Sequence, residues 1–131
     1  MNKEDKELLL RDLCNRLPYN VMCQVEFKED GKYNSKVMLL SGIFTDEAYF
    51  TTKGGSIYSN EYKPYLFPLS SMTEEEQRTL DSMCNGVEMV SRLSGLKMFG
   101  KAFNWLNENH FDYRGLIEKG LAIDATGLNI Y

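Results

Sequence analysis

The sequence has little of what most catalytic and metal-binding sites require. It contains one histidine, His110, and three widely separated cysteines, Cys14, Cys23 and Cys84. Structural zinc sites use closely spaced cysteine pairs, and the disulfide framework of a secreted domain uses an even number of cysteines. We therefore predict no metal site and no disulfide. We expect the cysteines to be small buried hydrophobic residues in a reducing, cytoplasmic compartment.

Long apolar runs and basic runs are also missing. No stretch approaches the roughly 18 apolar residues of a membrane span, and the N-terminus carries no signal-peptide core, so no membrane partner is predicted. Lysine and arginine are scattered along a chain with a net charge of −4. Proteins that grip nucleic acid usually show a basic stripe. The charge therefore disfavours nucleic acid as a partner but leaves it open.

The polarity pattern that is present predicts one α+β domain (1–131). The 131 residues are the length of a single domain. They divide into an N-terminal helix (1–18), a β-meander (19–68) and a helical half (69–131). The expected fold is an N-terminal helix, a four- to five-stranded antiparallel meander or SH3-like small barrel, and C-terminal helices.

Local signals place the first elements. Leu9, Leu13 and Leu17 share one helical face, and Asn2 is suited to cap that helix. Residues 21–28 alternate between apolar and polar, which predicts a half-buried strand. Asp30 and Gly31 then predict a tight hairpin. The second strand should run to about residue 44 with a bulge at Gly42, and residues 48–52 and 56–58 predict two more strands.

Residues 62–76, here called the proline segment, separate the β half from the helical half. Pro64 and Pro68 lack an N–H, so this segment is predicted to pair only at a sheet edge or not at all, with a short fifth strand at 65–67 as the edge case. Thr73 and Glu76 form a capping box, which predicts that a helix starts there and runs to about residue 85.

The pattern after that helix is weaker. Residues 87–99 fit either a strand or a helix, with breaks expected at Gly95 and Gly100. A third helix is predicted at 101–109 with Phe103 and Leu106 facing inward. Residues 111–124 predict a turn of helix followed by an extended arm that packs down.

Two segments resemble proteins of a known kind. The strings KPYLFPLSSMTEEE (63–76) and NWLNENHFDYRGLIEKGLA (104–122) are similar to recurrent segments of small uncharacterised proteins from Bacteroides-type gut bacteria and their prophages. The resemblance covers the second half of the chain. It implies an origin on a mobile element, and it assigns no activity and no functional residue.

Four tyrosines carry the main functional hypothesis. Tyr49, Tyr58, Tyr62 and Tyr65 lie on neighbouring predicted β-elements. Tyrosine suits a contact surface because one end of its side chain is apolar and the other is polar. Since no catalytic constellation, metal site or cofactor motif is present, we interpret the chain as a non-catalytic protein-binding or accessory module.

The same aromatic residues on a small barrel would suit single-stranded nucleic acid, which is the alternative. Core and rim packing is the competing structural explanation, and the oligomeric state is left open.

Arg114 and His110 are two further candidates. Arg114 could hold a carboxylate or phosphate through paired hydrogen bonds, or it could tie its turn to Asp112. His110 lies between Glu108 and Asp112, so an enzyme using His110 is the second alternative. The competing expectation is a loop histidine after a helix C-terminus, where a cation suits the helix dipole.

Overall fold

The computed structural model describes residues 2–44, 47–84 and 92–131. The helices and strands are α1 (Lys3–Arg16), β1 (Met22–Glu29), β2 (Lys32–Ile43), β3 (Ala48–Thr52), β4 (Gly55–Ser59), β5 (Glu61–Pro68), α2 (Glu74–Cys84), α3 (Arg92–Glu108), β6 (Phe111–Asp112) and β7 (Ile123–Asp124). Short 3₁₀ turns follow α1 and β5. The α+β class and the N-terminal helix are confirmed.

Six strands follow one another across the sheet in the order β4-β3-β2-β1-β5-β6, and β7 also pairs with β5. The first four strands form an antiparallel meander, as predicted, and β5 returns to pair with β1. Among the described residues β4 and β5 do not pair with each other, although they are consecutive in the chain. The sheet is therefore open, and the barrel alternative does not describe it.

Local sequence explains the meander. Asp30 and Gly31 both have positive φ, as the tight turn between β1 and β2 requires. The β2–β3 register shifts between Leu40 and Gly42, which confirms the predicted bulge.

One face of the sheet carries the core. Leu9 and Leu13 of α1, together with Leu116 and Leu121 of the C-terminal segment, cluster with the inward-facing residues of the sheet, which are Val21, Cys23, Val25, Met38, Leu40, Ala48, Phe50 and Leu66. Asn2 caps α1 as predicted, since its Oδ1 accepts the Asp5 N–H at 2.7 Å. Cys14 was expected in the apolar face of this helix, but it is exposed.

The prediction for the proline segment is wrong. Both prolines lie in β5, which pairs with β1 and β6 along one edge and with β7 along the other. Successive residues of a strand direct their backbone groups to opposite edges. The Tyr131 hydroxyl bridges Met22 N–H and Tyr65 C=O, so Tyr65 faces β1 and its neighbour Pro64 faces away. The missing N–H of Pro64 therefore costs no hydrogen bond to β1, and Pro68 is the last residue of the strand.

The helical half is partly as predicted. Thr73 and Glu76 form both reciprocal bonds of the capping box, at 3.1 and 3.0 Å, and α2 follows. Gly95 and Gly100 do not break α3, which runs through both of them. A helical glycine costs only about 1 kcal/mol relative to alanine, so packing overrides it. Part of the ambiguous region, residues 87–91, lies outside the described residues.

Two other predictions for this half are wrong. Phe103 points to solvent, whereas Leu106 is buried as expected. The tail contains two short strands and turns where a turn of helix was predicted. β6 and β7 pair in parallel with β5. The Ala125 N–H donates to Leu66 C=O, and the Phe67 N–H donates to His110 C=O, both at 2.8 Å. These pairings join distant parts of the chain, which local patterning does not reveal.

Candidate functional site

Three aromatic rings meet on the face of the sheet that is opposite the core. Tyr49 and Tyr58 are cross-strand partners in β3 and β4, and their ring centroids are 4.9 Å apart. The Phe44 ring lies 5.7 Å from that of Tyr58. Gly42 is opposite Tyr49, and the position of a Cβ there would be 3.5 Å from the Phe44 ring. The backbone of Gly42 therefore lies close to the Phe44 ring. We call Phe44, Tyr49 and Tyr58 the aromatic cluster.

The aromatic cluster is accessible to a partner. Phe44 is 54% exposed and Tyr58 is 55% exposed, while Tyr49 is half-buried between neighbours. The hydroxyls of Ser41 and Thr51 are hydrogen-bonded to each other at 2.8 Å nearby on β2 and β3. An apolar patch with hydroxyl groups beside it is a common composition for a contact surface.

The four predicted tyrosines do not form one surface. Tyr62 is half-buried with its ring 5.1 Å from that of Phe50, on the core face. Tyr65 is only 7% exposed. Burial raises the pKa of both phenols above the ordinary value. Tyr62 and the buried Leu66 are four residues apart in β5, so their side chains lie on the same face of the sheet. This even spacing is the sequence signal that could have placed Tyr62 on the core face, away from Tyr49 and Tyr58.

Phe44 was missed in the sequence analysis because it was assigned only as the end of the second strand. Its position two residues beyond Gly42 was the available signal. A glycine inside a strand often marks a close approach of another group.

Arg114 lies in the C-terminal segment and contacts α1, not the aromatic cluster. Its Nε lies 3.3 Å from Oδ1 of Asp12, which is fully buried. The expected tie to Asp112 is absent, because the Asp112 carboxylate instead accepts backbone N–H groups from Arg114, Leu116 and Ile117. Arg114 is therefore partly committed to an internal ion pair.

His110 follows the C-terminus of α3, as expected, and it is buried. Its ring stacks on Tyr131 with centroids 3.6 Å apart. It lines a pocket of about 400 Å³ together with Glu76, Glu108 and Ser71. Burial, and second the charge of Arg16, lower the pKa of His110 to about 4. A general base works best with a pKa near the operating pH, so this neutral imidazole is a weak proton acceptor.

The cysteines occupy three different environments. Cys14 is exposed, Cys23 is buried and Cys84 is half-buried. Burial raises the pKa of the Cys23 thiol, which keeps it protonated and unreactive. Within residues 2–44, 47–84 and 92–131 no three His, Cys, Asp or Glu side chains come close enough to hold a metal ion.

Comparison with protein families, curated proteins and solved structures gives no match. None of the described helices has the length and apolar character needed to cross a bilayer.

Proposed function

We propose that the protein is a non-catalytic protein-binding module that contacts its partner through the aromatic cluster. The carrying observation is that Phe44 and Tyr58 lie exposed, with Tyr58 packed on the half-buried Tyr49, on one face of a sheet whose other face is already occupied by the core. The centres of protein interfaces are enriched in Tyr and Phe, which supply large contact areas at a small entropic cost. Tyr49 and Tyr58 remain binding residues in this proposal, and Phe44 joins them.

The other predicted residues take structural roles in the proposal. Tyr62 and Tyr65 support the sheet from buried positions, and Arg114 supports the internal ion pair with Asp12. The likeness of segments 63–76 and 104–122 to prophage proteins is the ground for proposing a bacterial or phage protein as the partner, met in the cytoplasm.

The test compares retention of partners from a Bacteroides-type bacterial lysate by immobilised wild type and two variants. The site variant is Phe44→Ser with Tyr58→Ser. The control is Phe99→Ser on α3, because Phe99 is also an exposed aromatic residue, at 44%. We expect saturable retention of the same protein by wild type and control, and at least a tenfold loss with the site variant.

Two results would contradict the proposal. The first is undiminished retention by the site variant, provided that its denaturation midpoint matches that of the control. The second is retention that disappears on nuclease treatment and falls steeply with salt, because that behaviour belongs to a nucleic-acid ligand held by phosphate contacts.

A further inference from the structure

β4, the strand that carries Tyr58 of the aromatic cluster, has a free edge. β4 pairs with β3, and no described residue pairs with its other edge. The hairpin register closes at Thr52 and Gly55 across a two-residue loop. Such a loop is closed by a hydrogen-bonded pair, and bonded and non-bonded pairs then alternate. The backbone groups of Ser56 and Tyr58 therefore point away from β3, toward the free edge.

A groove runs along this edge and is bounded on its other side by β1. Two contiguous depressions of about 290 and 550 Å³ share Phe27, Lys28 and Ile57 in their walls. Pairing of β1 with β5 ends at Glu26. In the β1–β2 hairpin the closing pair is Glu29–Lys32, so the next residue, Lys28, is not hydrogen-bonded to β2. The backbone groups of Lys28 therefore point to the opposite edge of β1, beyond the point where β5 stops pairing. The groove is thus lined by unpaired strand backbone on both sides.

β4 has no lysine, proline or bulge along Gly55–Tyr58, and only its last residue, Ser59, is tied to β1, through a hydrogen bond from its hydroxyl to Glu26 C=O at 2.6 Å. Exposed edges are usually blunted by lysine, proline, bulges or inward-pointing charges, because an unpaired edge invites another strand. The sequence of β4 is GSIYS, which is neutral and without proline, and its pairing with β3 is regular. An edge left open in this way suits the addition of a partner strand.

We propose that this groove binds an extended, basic segment of the partner protein as an added β-strand. The inference rests on the proposed function and specifies the partner's chemistry. Three carboxylates line the end of the groove near the β4–β5 corner, those of Glu26, Glu47 and Glu61, and none of them is in an ion pair between described residues. The ammonium of Lys28 is already 5.8 Å above the Tyr33 ring. Lys36 lines the other depression beside Glu29, so the excess of negative charge is confined to the corner end. Alternate side chains of an added strand share one side, so Lys or Arg at alternate positions in the end of the segment that lies at the corner would meet these carboxylates.

The test selects binders from a display library of random 12-residue linear peptides against the intact protein. We expect enrichment of peptides with Lys or Arg at alternate positions and no internal proline. A synthetic peptide from this set should bind at least tenfold more weakly to Ser56→Pro, which removes an outward N–H, but equally well to Ser56→Ala. Glu47→Gln with Glu61→Gln should also weaken it. Because the Ser56 N–H lies outside the β3 ladder, proline at this position should leave the fold intact.

Amide exchange provides a readout that does not depend on the variants. The bound peptide should slow exchange of the Ser56 and Tyr58 amides in the wild type. Unchanged exchange, enrichment of acidic or uncharged peptides, or full binding by folded Ser56→Pro would overturn strand addition. A dimer in sedimentation equilibrium that Ser56→Pro abolishes would overturn it also, because a second copy would then occupy the edge. Loss of natural-partner retention in Phe44→Ser with Tyr58→Ser, but not in Ser56→Pro, would leave the proposed function standing and remove only this inference.

Discussion

His110 ends α3 in a backbone conformation that few residues tolerate. Its φ is 61°, in the left-handed region, and its N–H donates to Asn107 C=O. That conformation turns the chain from the helix into β6 and places the imidazole against Tyr131. Nδ1 of the ring is buried without a partner among the described residues. The residue therefore joins three parts of the C-terminal half as a neutral, packed ring.

Stability should depend on pH through this residue. The pKa of His110 is about 4 in the fold because of burial and Arg16, against 6.5 ordinarily. Between these values the unfolded chain binds more protons, so the free energy of unfolding falls as the pH is lowered through this window. We expect His110 to account for a loss of roughly 2–3 kcal/mol between about pH 7 and pH 4. Urea unfolding of wild type and His110→Asn across this range measures it.

Asparagine is the suitable replacement because it tolerates positive φ and does not titrate in this range. The two proteins should differ in the slope of stability against pH below about 6.5 and run parallel above it. Parallel curves over the whole range would show that His110 is protonated equally in the folded and unfolded states.

At the scale of elements, β5 joins the two halves of the molecule, because its first and second halves pair with different strands. Its first half pairs with β1, at residues 61–64. Its second half pairs with β7 and β6, at residues 65–68. The side chain of Tyr131 enters where β1 and β5 separate, and its hydroxyl replaces a direct strand-to-strand bond. The meander and the C-terminal segment are thereby joined through one strand.

This register makes a prediction about where proline is tolerated. Lys63 faces β1, whereas Pro64 faces away, so only position 63 needs its N–H for the β1 ladder. Lys63→Pro should lower the free energy of unfolding by about 1–3 kcal/mol, because it removes a ladder hydrogen bond and leaves the acceptor on β1 without a partner. Lys63→Ala, an exposed change that keeps the N–H, should alter it by about 0.5 kcal/mol or less. Chemical denaturation of both variants tests the register, and similar midpoints would show that residue 63 is not bonded to β1.

Structural features that depend on residues close together in the sequence could be predicted, whereas those that depend on pairing between distant segments could not. Asn2, Asp30–Gly31, Gly42 and the Thr73–Glu76 box act within a few residues, and the structure contains all four features as predicted. The interior position of β5 depends on which edge each proline faces, which a one-strand pattern does not show. The candidate site divides in the same way. Tyr49 and Tyr58 meet through a tight hairpin, whereas the separation of Tyr62 and Tyr65 from them depends on the phase of β5.

At the scale of the whole molecule, a buried ion pair connects the two ends of the chain. The side chains of Arg16 and Asp12 in α1 are fully buried, and Nε of Arg16 lies 2.7 Å from Oδ2 of Asp12. The Nη2 of Arg16 also donates to Phe111 C=O, 95 residues away. Arg114 approaches the same Asp12 carboxylate from the C-terminal segment. The pair therefore fixes α1 against the segment that supports β6, in addition to the apolar contacts of Leu9 and Leu13.

Removing one member of the Asp12–Arg16 ion pair should lower the free energy of unfolding far more than replacing both members with apolar side chains. Asp12→Ala leaves the buried Arg16 charge without its main compensation, so we expect a loss of about 3–5 kcal/mol in the free energy of unfolding. Asp12→Leu with Arg16→Met replaces the pair by apolar side chains and should recover at least half of that loss, since no buried charge then remains uncompensated. Some cost persists, because Phe111 C=O loses its donor and Arg114 loses its carboxylate. Urea unfolding of Asp12→Leu, Arg16→Met and the double variant gives the coupling energy. Additive losses would mean that Asp12 and Arg16 stabilise the fold independently, and that the ends of the chain are held by apolar packing alone.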